Sequence, residues 1–170
     1  MNHQSKIYRE LNHEDFDLFV TLTSDRQRFP VHLLKENISK LFCMIEKKMV
    51  GSRFNKKPNE ERIKFIGFPE HINDELNLPH YHLLLRFPEN IKTKYPNHKT
   101  VFKNHLETFW EKFVQPTYET PDEKFPTERV VKNRYCDVRN VIDKHIPYSV
   151  KQSNRPEHEE HIIFNNTPLR

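Results

Sequence analysis

Two histidines, His80 and His82, are the residues best placed to do chemistry together. They lie in residues 79–87 (PHYHLLLRF), a strongly apolar stretch typical of a β-strand. Alternate side chains of a strand share a face, so both imidazoles are expected on one side, close enough to bind one metal ion. Tyr81 and Leu83 would then point into a core. Neutral imidazole is a common ligand of divalent transition metals.

The alternative interpretation is a chance pair on a half-exposed sheet face. A His-x-His pattern fixes only two positions, and the chain contains 11 histidines. The flanks of the pair are also distinctive, because a proline directly precedes it and three leucines directly follow it.

A neighbouring strand could supply a third ligand. Residues 63–68 (IKFIGF) form a second predicted strand, and a polar turn connects them to the histidine strand. Two strands joined in this way pair antiparallel, so the end of the first lies beside the start of the second. Glu70 and His71 are therefore expected near His80.

The histidine strand with these flanks resembles the central motif of the HUH endonucleases, which include rolling-circle replication initiators, conjugative relaxases and related transposases. Residues 18–23 (LFVTLT) are predicted to form a buried strand, and they are similar to the first motif of the initiators. In that family the third ligand often comes from the end of the neighbouring strand, frequently as a glutamate. The resemblance favours Glu70 as this ligand, with His71 and Glu75 as alternatives. It also implies Mn²⁺ or Mg²⁺ as the ion, and imidazole ligands by themselves favour Mn²⁺.

A second stretch, residues 148–152 (YSVKQ), extends the resemblance. In single-tyrosine initiators a helix after the last strand carries Tyr-x-x-Lys, and the same order occurs here. The resemblance implies Tyr148 as the nucleophile and Lys151, one helical turn away, as a contact to the phosphate or the phenolate. Lys151 is otherwise a solvated helix lysine. Pro147 departs from the pattern because proline disfavours helical geometry at the residue before it; Tyr135 is the alternative nucleophile.

The activity implied by this resemblance is metal-dependent, site-specific nicking and joining of single-stranded DNA through a covalent 5′-phosphotyrosine intermediate. Such an enzyme would initiate rolling-circle replication of a plasmid or phage. A tyrosine with a pKa near 10 is a poor nucleophile at neutral pH, and a metal ion on the phosphate would lower the barrier. The expected partner is single-stranded or hairpin DNA. A host helicase would separate the strands if the substrate is not already single-stranded.

Two other functions are compatible with the same residues. One is a metal-dependent nuclease or phosphoesterase in which water is the nucleophile and Tyr148 is incidental. The other is a nucleic-acid-binding domain without catalysis, on a similar sheet.

The expected fold is α+β in one domain, residues 1–170, with a core over about 18–152. The resemblance implies a central antiparallel sheet of about five strands, of the RRM or ferredoxin-like kind, with helices on one or both faces. Strands are predicted over 18–23, 63–68, 79–87 and 129–132, helices over 31–50, 101–114 and around residue 148, and a polar turn over 88–100. Residues 1–17 are expected to form a loosely packed lead-in. The polar tail from residue 153 is expected either to be mobile or to form a final short strand over 162–164.

Composition restricts the possible binding partners, sequence motifs and cellular compartment of the protein. The net charge of +4 permits nucleic-acid binding without requiring it. Two glycines argue against a glycine-rich phosphate loop. Cys43 and Cys136 form no Cys-x-x-Cys pair, which is typical of a reduced compartment. With no apolar run near the roughly 20 residues of a membrane span and no signal-peptide core, we expect a soluble cytoplasmic protein.

Overall fold

The structure is a computed structural model, and it describes residues 15–23, 31–71, 79–114, 136–142 and 162–164. The elements in chain order are β1 (Leu18–Thr23), α1 (Val31–Met49), β2 (Lys64–Glu70), β3 (His80–Arg86), α2 (Glu89–Lys94), α3 (His98–Val114), β4 (Cys136–Asn140) and β5 (Ile163–Phe164). Two short 3₁₀ turns lie between α1 and β2. No described helix has the length and apolar character needed to cross a membrane.

The five strands form one sheet in the order β4-β1-β3-β2-β5. All neighbouring strands are antiparallel. The first four strands together with α1 and α3 follow the β-α-β-β-α-β connectivity of the split βαβ motif. The histidine strand β3 is the central strand and is paired on both sides. The predicted α+β fold with a five-stranded antiparallel sheet is therefore confirmed.

The described helices pack on one face of the sheet, which we call the helix face. Strand alternation directs Tyr81, Leu83 and Leu85 of β3 to this face, where all three are fully buried. They pack with the apolar stripes of the two long helices, namely Leu34, Ile38, Leu41, Phe42, Ile45 and Met49 of α1 and Phe102, Leu106, Phe109 and Trp110 of α3. The predicted helix over 31–50 is confirmed, and the helical spacing of its apolar residues explains which side of α1 is buried.

The opposite face of the sheet, which we call the site face, carries a smaller apolar cluster. Its buried members are Phe19, Ile66, Phe68 and Leu84, and Phe16, Val141 and Ile162 pack against them. Because the other side chains of β3 alternate onto this face, His80 and His82 share it with this cluster.

Two elements extend beyond their predicted limits. β2 runs to Glu70 rather than ending at Phe68, because its pairing with β3 continues through Pro69 and Glu70. α3 begins at His98, three residues before the predicted helix.

Other predictions for the connecting segments were wrong or lie outside the described residues. Residues 88–100 do not form only a polar turn, because α2 lies within them and buries Ile91. β4 was not predicted, and it occupies Cys136–Asn140 at the edge of the sheet. The strand predicted over 129–132 lies outside the described residues. Ile163–Phe164 adopts the short-strand alternative of the two considered for the tail.

Candidate metal centre

Pairing of β2 with β3 brings the three predicted metal ligands together. Glu70 lies opposite His80, and Phe68 lies opposite His82. Glu70 therefore belongs to the same side of the sheet as both histidines, since residues two apart on a strand share a face. Glu70 is the last residue of β2, and its pairing with β3 holds the carboxylate more rigidly than a loop would.

Both imidazoles approach the same carboxylate oxygen. Glu70 Oε2 is 2.8 Å from His80 Nε2 and 2.6 Å from His82 Nε2. The two rings are nearly perpendicular, with centroids 4.8 Å apart. Glu70 and His82 are buried, whereas His80 is half-buried. The cluster is thus accessible from the His80 side.

The alternative ligand His71 also lies at this cluster. Its backbone has φ of 57°, a left-handed conformation that is uncommon for a residue other than glycine, though less so for histidine. His71 Nε2 is 3.9 Å from Glu70 Oε1. Among the described residues, the ligand atoms of Glu70, His71 and His80 lie within 4.8 Å of one another. The other alternative, Glu75, is outside the described residues.

His82 is held by two residues of β1. Thr21 lies opposite His82 in the pairing of β1 with β3, and its Oγ1 is 3.0 Å from His82 Nδ1. The ring of Phe19 stacks on the His82 ring, with centroids 5.2 Å apart and an interplanar angle of 15°. The plane of the imidazole and both of its nitrogens are therefore constrained by neighbours.

The electrostatics of the cluster favour metal-binding protonation states. Burial lowers the pKa of His82, and the opposing effect of Glu70 does not overcome this. Burial by itself would raise the pKa of Glu70, but hydrogen bonds from His82 and His80 outweigh it and lower that pKa. An ionised carboxylate beside a neutral imidazole is the state in which both groups bind metals.

The chemistry of these donors fits a divalent transition metal. The cluster offers one carboxylate oxygen together with the imidazole nitrogens of His80, His82 and His71. Imidazole nitrogens suit divalent transition metals, whereas Mg²⁺ prefers oxygen ligands. Glu70, His71 and His80 are the described residues whose ligand atoms lie close enough together to hold one ion, and His82 contacts the same Glu70 oxygen as His80.

The predicted catalytic residues Tyr148 and Lys151, and the alternative Tyr135, lie outside the described residues. The described chain does reach the site face on both sides of residues 143–161. Val141 before this interval and Ile162 after it both pack against the apolar cluster there.

Thr21 and Phe19 are the site residues that sequence reasoning missed. Both lie in the strand that resembles an initiator motif, and strand alternation puts them on one face. Their role depends on which strand β1 pairs with and in what register, and no local pattern specifies that.

Comparisons of this chain with protein-family models, with curated proteins and with solved structures find no match. A functional assignment therefore depends on the residues of the site themselves.

Proposed function

We propose that this protein is a metal-dependent enzyme that nicks and joins single-stranded DNA through a covalent 5′-phosphotyrosine, in the manner of the HUH endonucleases it resembles. Its biological role would be to initiate rolling-circle replication of a plasmid or phage. The observation that carries the proposal is the approach of His80 and His82 to one oxygen of Glu70.

Glu70, His80 and His82 bind the divalent ion, which is Mn²⁺ or Mg²⁺ with Mn²⁺ favoured by the imidazoles. When bound, the ion neutralises negative charge on the scissile phosphate. A site built on the central strands has little freedom to move, and this rigidity supports precise placement of the phosphate.

Tyr148 is the proposed nucleophile. Its hydroxyl oxygen forms a bond to phosphorus while the bond from phosphorus to the 3′ oxygen breaks. The phenol proton is lost and the departing oxygen gains a proton, so the cut strand gives one fragment with a free 3′ hydroxyl and one fragment whose 5′ phosphate is bonded to tyrosine. Lys151 steadies the phenolate or contacts the phosphate. Support comes from Val141 and Ile162, which lie on the site face on either side of the interval containing Tyr148.

The proposed substrate is single-stranded or hairpin DNA. The net charge of +4 is compatible with a polyanionic partner. A host helicase would open duplex DNA, and the enzyme would act in the cytoplasm where plasmid or phage DNA is copied.

The test is a search for the covalent adduct. Labelled single-stranded and hairpin oligonucleotides of mixed sequence are incubated with the protein in Mn²⁺ or in EDTA and resolved on a denaturing protein gel. We expect a Mn²⁺-dependent shifted band for the wild type. We expect no band for Tyr148→Phe or His82→Ala, and an unchanged band for the matched control Tyr135→Phe.

Other outcomes would indicate a different nucleophile or a different function. An adduct that survives Tyr148→Phe and disappears in Tyr135→Phe would transfer the nucleophile to Tyr135. Metal-dependent cleavage without any adduct would indicate water as the nucleophile. DNA binding without cleavage, equal in Mn²⁺ and EDTA, would indicate a binding module and would refute the enzymatic proposal.

A further inference from the structure

We infer that Thr21 is a positioning residue whose hydroxyl accepts the Nδ1 proton of His82 when a metal ion takes the Nε2 lone pair. The inference deepens the proposed function and rests on its metal site. It concerns a strand neighbour that touches the histidine without being a ligand itself.

Three observations place Thr21 in this role. Its hydroxyl oxygen is 3.0 Å from His82 Nδ1, while His82 Nε2 is directed at Glu70. The two residues are register partners in adjacent strands, so the sheet fixes their separation. The side chain of His82 is only 8% exposed, which leaves water little room to replace the hydroxyl.

The chemistry follows from the two nitrogens of imidazole. A neutral ring carries one N–H and one lone pair. Without metal, Nε2–H donates to the Glu70 carboxylate, and Nδ1 accepts a hydrogen bond from the Thr21 hydroxyl. A metal ligand must instead present the Nε2 lone pair, so the proton belongs on Nδ1 and needs an acceptor there. Thr21 Oγ1 is that acceptor.

A hydroxyl suits both states because it donates and accepts. Rotation about the C–O bond of Thr21 exchanges the two roles without moving His82. The stacked ring of Phe19 fixes the plane of the imidazole, but it does not select which nitrogen carries the proton. The Thr21 hydroxyl is therefore the group that selects which nitrogen of His82 is protonated.

The first test measures metal affinity rather than activity. Metal-free protein is titrated with Mn²⁺, and free Mn²⁺ is followed by electron paramagnetic resonance. Thr21→Val keeps the shape and suits a strand but removes the hydroxyl, so we expect affinity to fall about tenfold or more, as for other residues that support a metal ligand. Thr21→Ser keeps the hydroxyl and is expected to retain most of the affinity.

Several results would overturn the inference. If the wild type binds Mn²⁺ and Thr21→Val binds it equally well, the inference fails while the metal site stands. If Thr21→Ser loses as much affinity as Thr21→Val, the hydroxyl is not the relevant group. If the wild type binds no Mn²⁺, the proposed metal function fails and the inference fails with it.

A second measurement does not depend on any variant folding. Long-range ¹H–¹⁵N correlation spectra of the wild type with diamagnetic Zn²⁺ report which nitrogen of His82 is protonated. We expect a proton on Nδ1 and none on Nε2. A proton that stays on Nε2 in the presence of bound Zn²⁺ would overturn the inference.

Discussion

Glu70 lies directly opposite His80 in the antiparallel pairing of β2 and β3, and its Oε2 is 2.8 Å from His80 Nε2. The same oxygen is 2.6 Å from His82 Nε2. Because the three side chains come from two paired strands, the sheet sets their separation. The Glu70 carboxylate therefore contacts both histidines of the candidate metal centre.

Replacement of that carboxylate should abolish most metal binding. Glu70→Gln has nearly the same shape but exchanges a charged oxygen for a neutral amide. We expect Mn²⁺ affinity to fall by more than about 100-fold, beyond the range typical of residues that only support a ligand. Isothermal titration calorimetry measures this directly.

The matched control is Glu61→Gln. Glu61 precedes β2, at the other end of that strand from Glu70, and pairs with Lys57 at the surface. Its loss should leave Mn²⁺ affinity unchanged. Equal effects of the two substitutions would show that Glu70 is not a ligand.

A buried ion pair joins α1 to the segment before β2. Arg62 donates from Nε to Glu46 Oε1 at 3.1 Å and from Nη2 to Glu46 Oε2 at 2.7 Å, and Glu46 is 2% exposed. Arg62→Met leaves a buried carboxylate without a counter-charge, so we expect the free energy of unfolding to fall by about 3–5 kcal/mol. Urea denaturation measures the loss. Lys40→Met in the exposed pair with Glu36 should change it by less than about 1 kcal/mol, and a similar loss in both variants would contradict the prediction.

Gly67 is required by close packing on the helix face. A Cβ at this position would lie 2.5 Å from Leu83 Cδ2 and 2.6 Å from Ile163 Cγ1. We expect Gly67→Ala to reduce stability by about 1–3 kcal/mol through overpacking. In a double-mutant cycle, Ile163→Ala should remove part of that cost, since it clears one of the two clashes.

Gly51 provides the control for this cycle. It has φ of 127° and an open space around its missing side chain, so Gly51→Ala costs stability through backbone strain alone. Its effect should be independent of Ile163→Ala. Strict additivity for Gly67→Ala with Ile163→Ala would mean that the clash is not the cause.

The buried thiol of Cys136 should make the fold sensitive to high pH. Burial raises the pKa of this thiol from 9.0 to about 12. Between these values the unfolded chain loses the thiol proton while the folded chain keeps it, so stability is fully present below pH 9 and declines as pH rises. At pH 10.5 the loss relative to pH 8 should be about 2 kcal/mol smaller in Cys136→Val than in the wild type. Identical losses in the two proteins, measured by denaturation at both pH values, would refute this.

The central sheet could be predicted because its strands have strong local patterns. Residues 79–87 are largely apolar, and their polar residues His80, His82 and Arg86 all share one parity; β3 forms there at the centre of the sheet. Antiparallel pairing across one short connection then brings Glu70 to His80 without any further information.

Elements with weak patterns could not be predicted. α2 has six residues and buries only Ile91, so it has no amphipathic period to detect. β4 is an edge strand of five residues, of which only Cys136 and Val138 are apolar. The contact between Thr21 and His82 depends on a register between strands 61 positions apart, and it emerges only from the assembled sheet.

The most direct measurement of the central claim is anomalous diffraction at the manganese edge from a crystal soaked in Mn²⁺. We expect one peak bound by Glu70 Oε2, His80 Nε2 and His82 Nε2, with His82 Nδ1 still in contact with Thr21. A peak away from these residues, or no peak at Mn²⁺ concentrations that saturate other Mn²⁺ enzymes, would contradict the proposed metal centre.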